Sequence, residues 1–162
     1  MSIAPAFEPS FSDDGLTIAE QDRVVIMVWR GSPSADRIAR ATDGFASVVA
    51  RTRQKVSLLA VIEERSPPPR LEDLSLVVRG FDAHREHMLA TVGVFEDRLA
   101  TSAILDAASL IRALQRRPMP TKFCADRREA VTWLASRHPH EGDLGAFCSR
   151  LVEAIEATRA RL

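Results

Sequence analysis

The chain has 162 residues, 46% hydrophobic and 27% charged. That is a globular composition, at a length that buries a core without a metal or disulfide staple. Its 22 basic residues balance 22 acidic ones, so no whole-molecule field draws it to nucleic acid or to an anionic membrane. No stretch approaches the ~18 apolar residues of a membrane span.

Lys55 and Lys122 are the only lysines, and Asn and Tyr are absent, a bias that follows a GC-rich coding sequence. Cys124 and Cys148 form neither a C-x-x-C pair nor a metal-ligand cluster. The opening residues carry no basic start and no long apolar run, so they do not read as a secretory signal; the expected compartment is the cytoplasm.

Residues 1–14, with two prolines and several serines, read as a loose arm. Residues 16–20 form a short strand. Gln21-Asp22-Arg23 turns it back into Val24-Val25-Ile26-Met27-Val28-Trp29, whose continuous apolar run suits a strand buried on both faces. Gly31-Ser32-Pro33-Ser34 announces a helix, with a serine cap and proline at its first position; Ile38, Ala41, Phe45, Val48 and Val49 recur at helical spacing. Val56 to Ile62 is the next buried strand, and the triple proline after Ser66 is a stiff loop. Leu71, Leu74, Val78, Phe81 and Met88 mark a second helix, and residues 89–95 a third core strand.

A helix over residues 99–115 is apolar on more than one face and ends at Pro118 and Pro120. Lys122 to Ala125 is a short strand. Asp126 caps the next helix, with Glu129 in a capping-box position. Residues 137–142 break that helix. The last helix carries Leu144, Phe147, Cys148, Leu151, Val152 and Ile155 on one side.

Alternating strands and helices predict an α/β fold with a mixed sheet of about five strands: an antiparallel hairpin, then parallel βα units, then an extra C-terminal helix. The core patterns VVIMVWRG, VSLLAVIEE and LATVGVFED, and the closing TKFCADRREAVTWLAS, resemble those of the STAS-like family, which includes the anti-sigma-factor antagonists. The resemblance divides the chain into the arm, a STAS-like domain over 15–136, and a C-terminal amphipathic helix over 137–162 packed on that domain. Antagonist-type members are switched by phosphorylation of a hydroxyl that follows an aspartate at a helix start. Here that Asp-Ser pair is absent, and Ser66 is the nearest hydroxyl.

His84-Arg85-Glu86-His87 fails the metalloprotease spacing and reads as a polar helix end. His138-Pro139-His140-Glu141 reads as a polar break between two helices rather than a metal site. No dinucleotide, P-loop or nucleophile-elbow pattern occurs, and neither a cofactor nor a metal is expected. Arg112, Arg116, Arg117, Arg127 and Arg128 form a local basic cluster suited to an anion or an acidic partner. On the 99–115 helix, Ala100, Ala103, Ile104, Ala107, Leu110 and Ile111 offer a two-fold dimer face, unless the last helix covers it.

These features predict a non-enzymatic interaction or regulatory module, homodimeric or bound to another protein, with no nucleic acid and no membrane span. The alternative is a carrier or sensor of a small apolar or lipid-like ligand. That reading predicts an apolar pocket beneath the helix over 71–88 or beneath the terminal helix.

Overall fold

The structure is a computed structural model that describes residues 9–64, 66, 70–96, 106, 108–109, 111–113, 115 and 119–161. Strands β1 (Phe11–Ser12), β2 (Leu16–Gln21), β3 (Val24–Trp29), β4 (Val56–Ile62), β5 (Met88–Phe95) and β6 (Thr121–Cys124) form one sheet in sequential order. The first three are antiparallel and the last four parallel. The sheet therefore has six strands rather than five. The extra one lies within the expected arm, where Phe11 and Ser12 pair with Ile18 and Thr17 and cover the hairpin's outer edge.

The hairpin turns on Asp22 and Arg23, both at positive φ. Two consecutive left-handed residues make the turn whose twist matches the strands. Asp and Arg are costly there relative to Asn-Gly, and tertiary contacts hold them. The Arg23 guanidinium donates to the carbonyls of Lys55 and Pro139, and Arg150 Nε donates to Asp22 Oδ2 at 2.8 Å.

Parallel strands laid down in sequential order by crossovers of one hand put every crossover helix on one face of the sheet. Helix α1 (Ala35–Thr52) and helix α2 (Leu71–Asp82) accordingly share a face with Val25, Met27, Leu58 and Met88. Helix α3 (Arg127–Ala135) and helix α4 (Leu144–Arg159) follow the last strand and cover the other face. There they pack on Val24, Ile26, Val28, Leu59, Val92 and Val94. The helical residues among 106–113 belong to the α2 side, where Ile111 packs with Leu74 and Phe95. The terminal helix is thus separated from Ile111 by the sheet and does not cover that side chain.

Helix α1 starts two residues after the expected cap, at Ser34, whose Oγ accepts the Arg37 N–H. Helix α2 stops at Asp82 rather than running to Met88. From Asp82 to His87 no large apolar side chain ties the chain to the sheet, and Arg85–His87 form a 3-10 turn. Asp126 and Asp143 cap α3 and α4 through the N–H groups of Glu129 and Ala146.

A bulge sets which β5 side chains face α2. Val56 pairs with Met88, but Leu58 pairs with Thr91, so Leu89 and Ala90 stand opposite Ser57 alone. The parity of the strand switches there. After the switch Thr91, Gly93 and Phe95 point toward α2, while Ala90, Val92 and Val94 point toward α3 and α4.

A candidate ligand cavity and its surroundings

The register places three rows of side chains across the sheet beneath α2. The first runs Val25, Leu58, Thr91, Thr121; the second Met27, Ala60, Gly93, Phe123; the third Trp29, Ile62, Phe95. The middle row puts the two smallest residues side by side at the centre of the sheet. Helix α2 is held off at side-chain distance by its neighbours in the other rows, so a void remains over Ala60 and Gly93. It measures about 150 Å³ and is almost wholly apolar. Leu74, Val77, Val78 and Phe81 of α2 roof it, and Ile111 and Met119 close its side.

Gly93 is needed for this shape. A Cβ at that position would lie 2.6 Å from Phe123 Cδ1, so any side chain would displace the ring that walls the void. Phe123 leans against Phe95 at a centroid distance of 6.0 Å.

Polar groups line the ends. At the strand-entry end stand Thr91, Thr121, Gln115, Asp82 and Arg85. Arg85 is 16% exposed, and its Nη1 approaches Asp82 Oδ1 at 3.7 Å, which is an ion pair but too long for a hydrogen bond. Nη1 is buried without a hydrogen-bond acceptor among the described residues. At the other end Ser66 Oγ donates to the Gly31 carbonyl at 3.1 Å, so the hydroxyl of the candidate phosphorylation site is engaged with the loop after β3.

The opposite face carries two polar assemblies. His138 is only 2% exposed. Its Nε2–H donates to the Asp22 carbonyl at 2.8 Å, which leaves Nδ1 to accept from Ser57 Oγ, also at 2.8 Å. Its ring and that of His140 lie parallel to Phe147. The expected polar break is therefore a buried lock between the α3–α4 loop, the hairpin turn and β4. Burial holds the His138 imidazole below its ordinary pKa, with Arg23 and His140 adding to that and the Asp22 carbonyl and carboxylate opposing it. The trio is not a catalytic triad: Ser57 is fully buried, and the third partner is a backbone carbonyl.

The second assembly lies at the exit ends of β3, β4 and β5. Arg30 donates to the Thr158 and Arg159 carbonyls at the end of α4 and to Thr17 Oγ1. Arg159 bonds Glu63 at 2.9 Å and Glu96 at 3.2 Å. Arg127 pairs with Glu96 at 3.0 Å and with Glu156. Burial alone would lower the Arg159 pKa, but the hydrogen bond to Glu63 and the charges of Glu96, Glu63 and Glu156 outweigh it and raise it. The network clamps the last helix to the sheet.

Arg127 is thereby withdrawn from the expected anion cluster. Arg112 and Arg128 are exposed, and Arg116 and Arg117 lie outside the described residues. So do Ala100, Ala103, Ile104, Ala107 and Leu110 of the expected dimer face. Ile111, the described member of that face, packs inward on the cavity's Leu74–Phe95 wall instead of outward to a partner, because the bulged β5 presents apolar side chains to it.

Burial pushes the Cys124 thiol up to about 11 and also raises that of Cys148, so neither is poised as a nucleophile. Among the described residues no group of three His, Cys, Asp or Glu side chains is placed to hold a metal, and no helix is long and apolar enough to cross a membrane. The chain matches no protein-family model, no curated protein and no solved structure.

Proposed function

We propose that this chain is a non-enzymatic binding module, a carrier or sensor that holds a small apolar molecule between the sheet and α2. The observation that carries this reading is the Ala60–Gly93 gap: two adjacent central strands both forgo a large side chain under a helix that roofs the space with four apolar ones. Close packing is the default for a protein interior, and an apolar void of about 150 Å³ is a size that stays dry and accepts benzene. The volume also narrows the expected ligand class. It is below the ~300–1,000 Å³ of drug-sized pockets, so the occupant is compact, of the size of one ring or a short branched chain, rather than a long-chain lipid. Self-association would use the dimer face of the 99–115 segment, a face of which only Ile111 is among the described residues, and so the cavity carries the proposal.

The test is the melting temperature with and without saturating toluene, in the wild-type protein and in Ala60→Leu, whose side chain fills the void. The expected result is a toluene-dependent rise in the wild type that is absent in the variant. No rise in the wild type would overturn the reading.

A further inference from the structure

The cavity's polar end adds a chemical identity to the occupant, an inference that rests on the cavity being a ligand site. A guanidinium beside an apolar void is expensive to bury unless each donor finds an acceptor. Arg85 is mostly buried, its Nη1 has no hydrogen-bond acceptor among the described residues, and Asp82 Oδ1 reaches it only at 3.7 Å. Nearby, the Thr91 hydroxyl has the soft thioether of Met119 as its partner, at 4.0 Å. The Thr121 hydroxyl is engaged by the Met119 carbonyl at 3.0 Å. The wall therefore offers under-used donors next to a compact apolar space. A guanidinium fork matches carboxylate and phosphate alike, and one cation beside an almost wholly apolar void suits the single charge of a carboxylate better than the nearly double charge of a phosphate monoester.

We propose that the ligand is a compact apolar carboxylic acid, its hydrocarbon body over Ala60 and Gly93 and its carboxylate on Arg85. Asp82 is the internal competitor for the same guanidinium. In the empty protein it neutralises Arg85 at long range, and in the complex the ligand's carboxylate takes the direct hydrogen bond. The fit sets the order of preference among ligands of one shape. An acid binds more tightly than its neutral amide, and the amide no more tightly than the bare hydrocarbon requires.

The experiment compares benzoate, benzamide and toluene by ligand-observed NMR titration against the wild-type protein, Arg85→Met and Asp82→Asn. Benzoate is expected to bind the wild type at least about tenfold more tightly than benzamide, the worth of one charge-assisted hydrogen bond. Arg85→Met removes that advantage and leaves toluene binding unchanged, and Asp82→Asn tightens benzoate severalfold. If toluene binds but benzoate shows no advantage over benzamide, the acid proposal falls and the apolar site stands. If Asp82→Asn leaves benzoate unchanged or weaker while Arg85→Met is without effect, Arg85 is not the anchor and the proposal falls. If none of the three compounds binds the wild type, the cavity reading itself is wrong and this inference goes with it.

Discussion

The two faces of this sheet use the same strands and reach different ends. Toward α3 and α4, the central strands present Val24, Ile26, Val28, Leu59, Val61, Val92 and Val94, and Phe147 and Leu151 pack against them from the helices. Toward α2, the middle row shrinks to Ala60 and Gly93 and a void opens. The polar groups differ in what lies beside them. On the filled face Arg30, Glu63, Glu96 and Arg159 form one network with the end of α4, in which Arg30 Nε and Glu96 Oε1 are buried without a hydrogen-bond partner among the described residues. On the open face Arg85 Nη1 is likewise unmatched, but it belongs to a side chain that lines the void. An unmatched group inside a filled network has no room for a ligand, and one beside a void has.

Neighbouring residues of β4 give the sharpest form of this contrast, because Leu59 points to the filled face and Ala60 to the open one. Leu59 is fully buried. Leu59→Ala is expected to destabilise the protein by about 2–5 kcal/mol, the usual cost of a lost side chain plus the cavity it leaves. Urea unfolding measures it, and a loss under about 1 kcal/mol would mean that the α3–α4 face is loosely packed after all.

A smaller effect is expected at the ionic clamp. Arg30→Ala removes the donor to the Thr158 and Arg159 carbonyls and one of the two hydrogen-bond partners of the buried Thr17 hydroxyl, which keeps Ser12, for about 2 kcal/mol. Arg51→Ala removes a solvent-exposed pair with Glu20 and is expected to cost no more than about 0.5 kcal/mol. Equal losses in the two variants would show that the clamp is merely surface charge.

The filled face is also the one that responds to pH. Burial keeps the folded-state pKa of His138 below the ordinary value of 6.5. Below that pH the unfolded chain takes a proton that the folded chain refuses, so stability rises with pH in this window. The contribution is fully present above about pH 6.5 and is lost as pH falls from there toward the lower folded value, at up to ~1.4 kcal/mol per pH unit. Urea midpoints between pH 8 and pH 5.5 should fall more steeply for the wild type than for His138→Gln, which is less stable at pH 8 but lacks this proton. Parallel slopes would remove His138 as the source.

Much of the fold is legible in the sequence because the core strands are continuous apolar runs. VVIMVW and VSLLAVI announce strands covered on both faces, and Asp126 with Glu129 marks the start of α3. What stays hidden depends on pairing between distant segments. The two residues of β1 have no periodicity to detect. The bulge at Leu89 and Ala90 reverses the parity of β5, and nothing in LATVGVF signals it. A pocket beneath the helix that begins at Leu71 is predictable in outline, but Ala60 and Gly93 become a gap only once the register sets them side by side. His138 reads as a loop residue because its partners Ser57 and Asp22 lie 81 and 116 positions away. Arg85 reads as part of a polar helix end, and its role emerges only when α2 stops early and turns the guanidinium to the cavity.

The last expected effect reverses the sign of the first. Enlarging a buried side chain usually strains a well-packed core by about 1–3 kcal/mol, and that is the expectation anywhere on the α3–α4 face. Ala60→Leu enlarges the neighbour of Leu59, but over a void of about 150 Å³. The added methylenes meet Leu74, Val78 and Phe81 of α2 without displacing them, and filling an existing void commonly stabilises by about 0.5–2 kcal/mol. Thermal and urea unfolding should place the variant at or slightly above the wild type, toward the lower end of that range, because the polar rim near Arg85 loses nothing. A destabilisation of 1 kcal/mol or more would mean that the space is already closed by the helix above it. The two faces would then be equally packed, and the contrast on which the ligand reading depends would disappear.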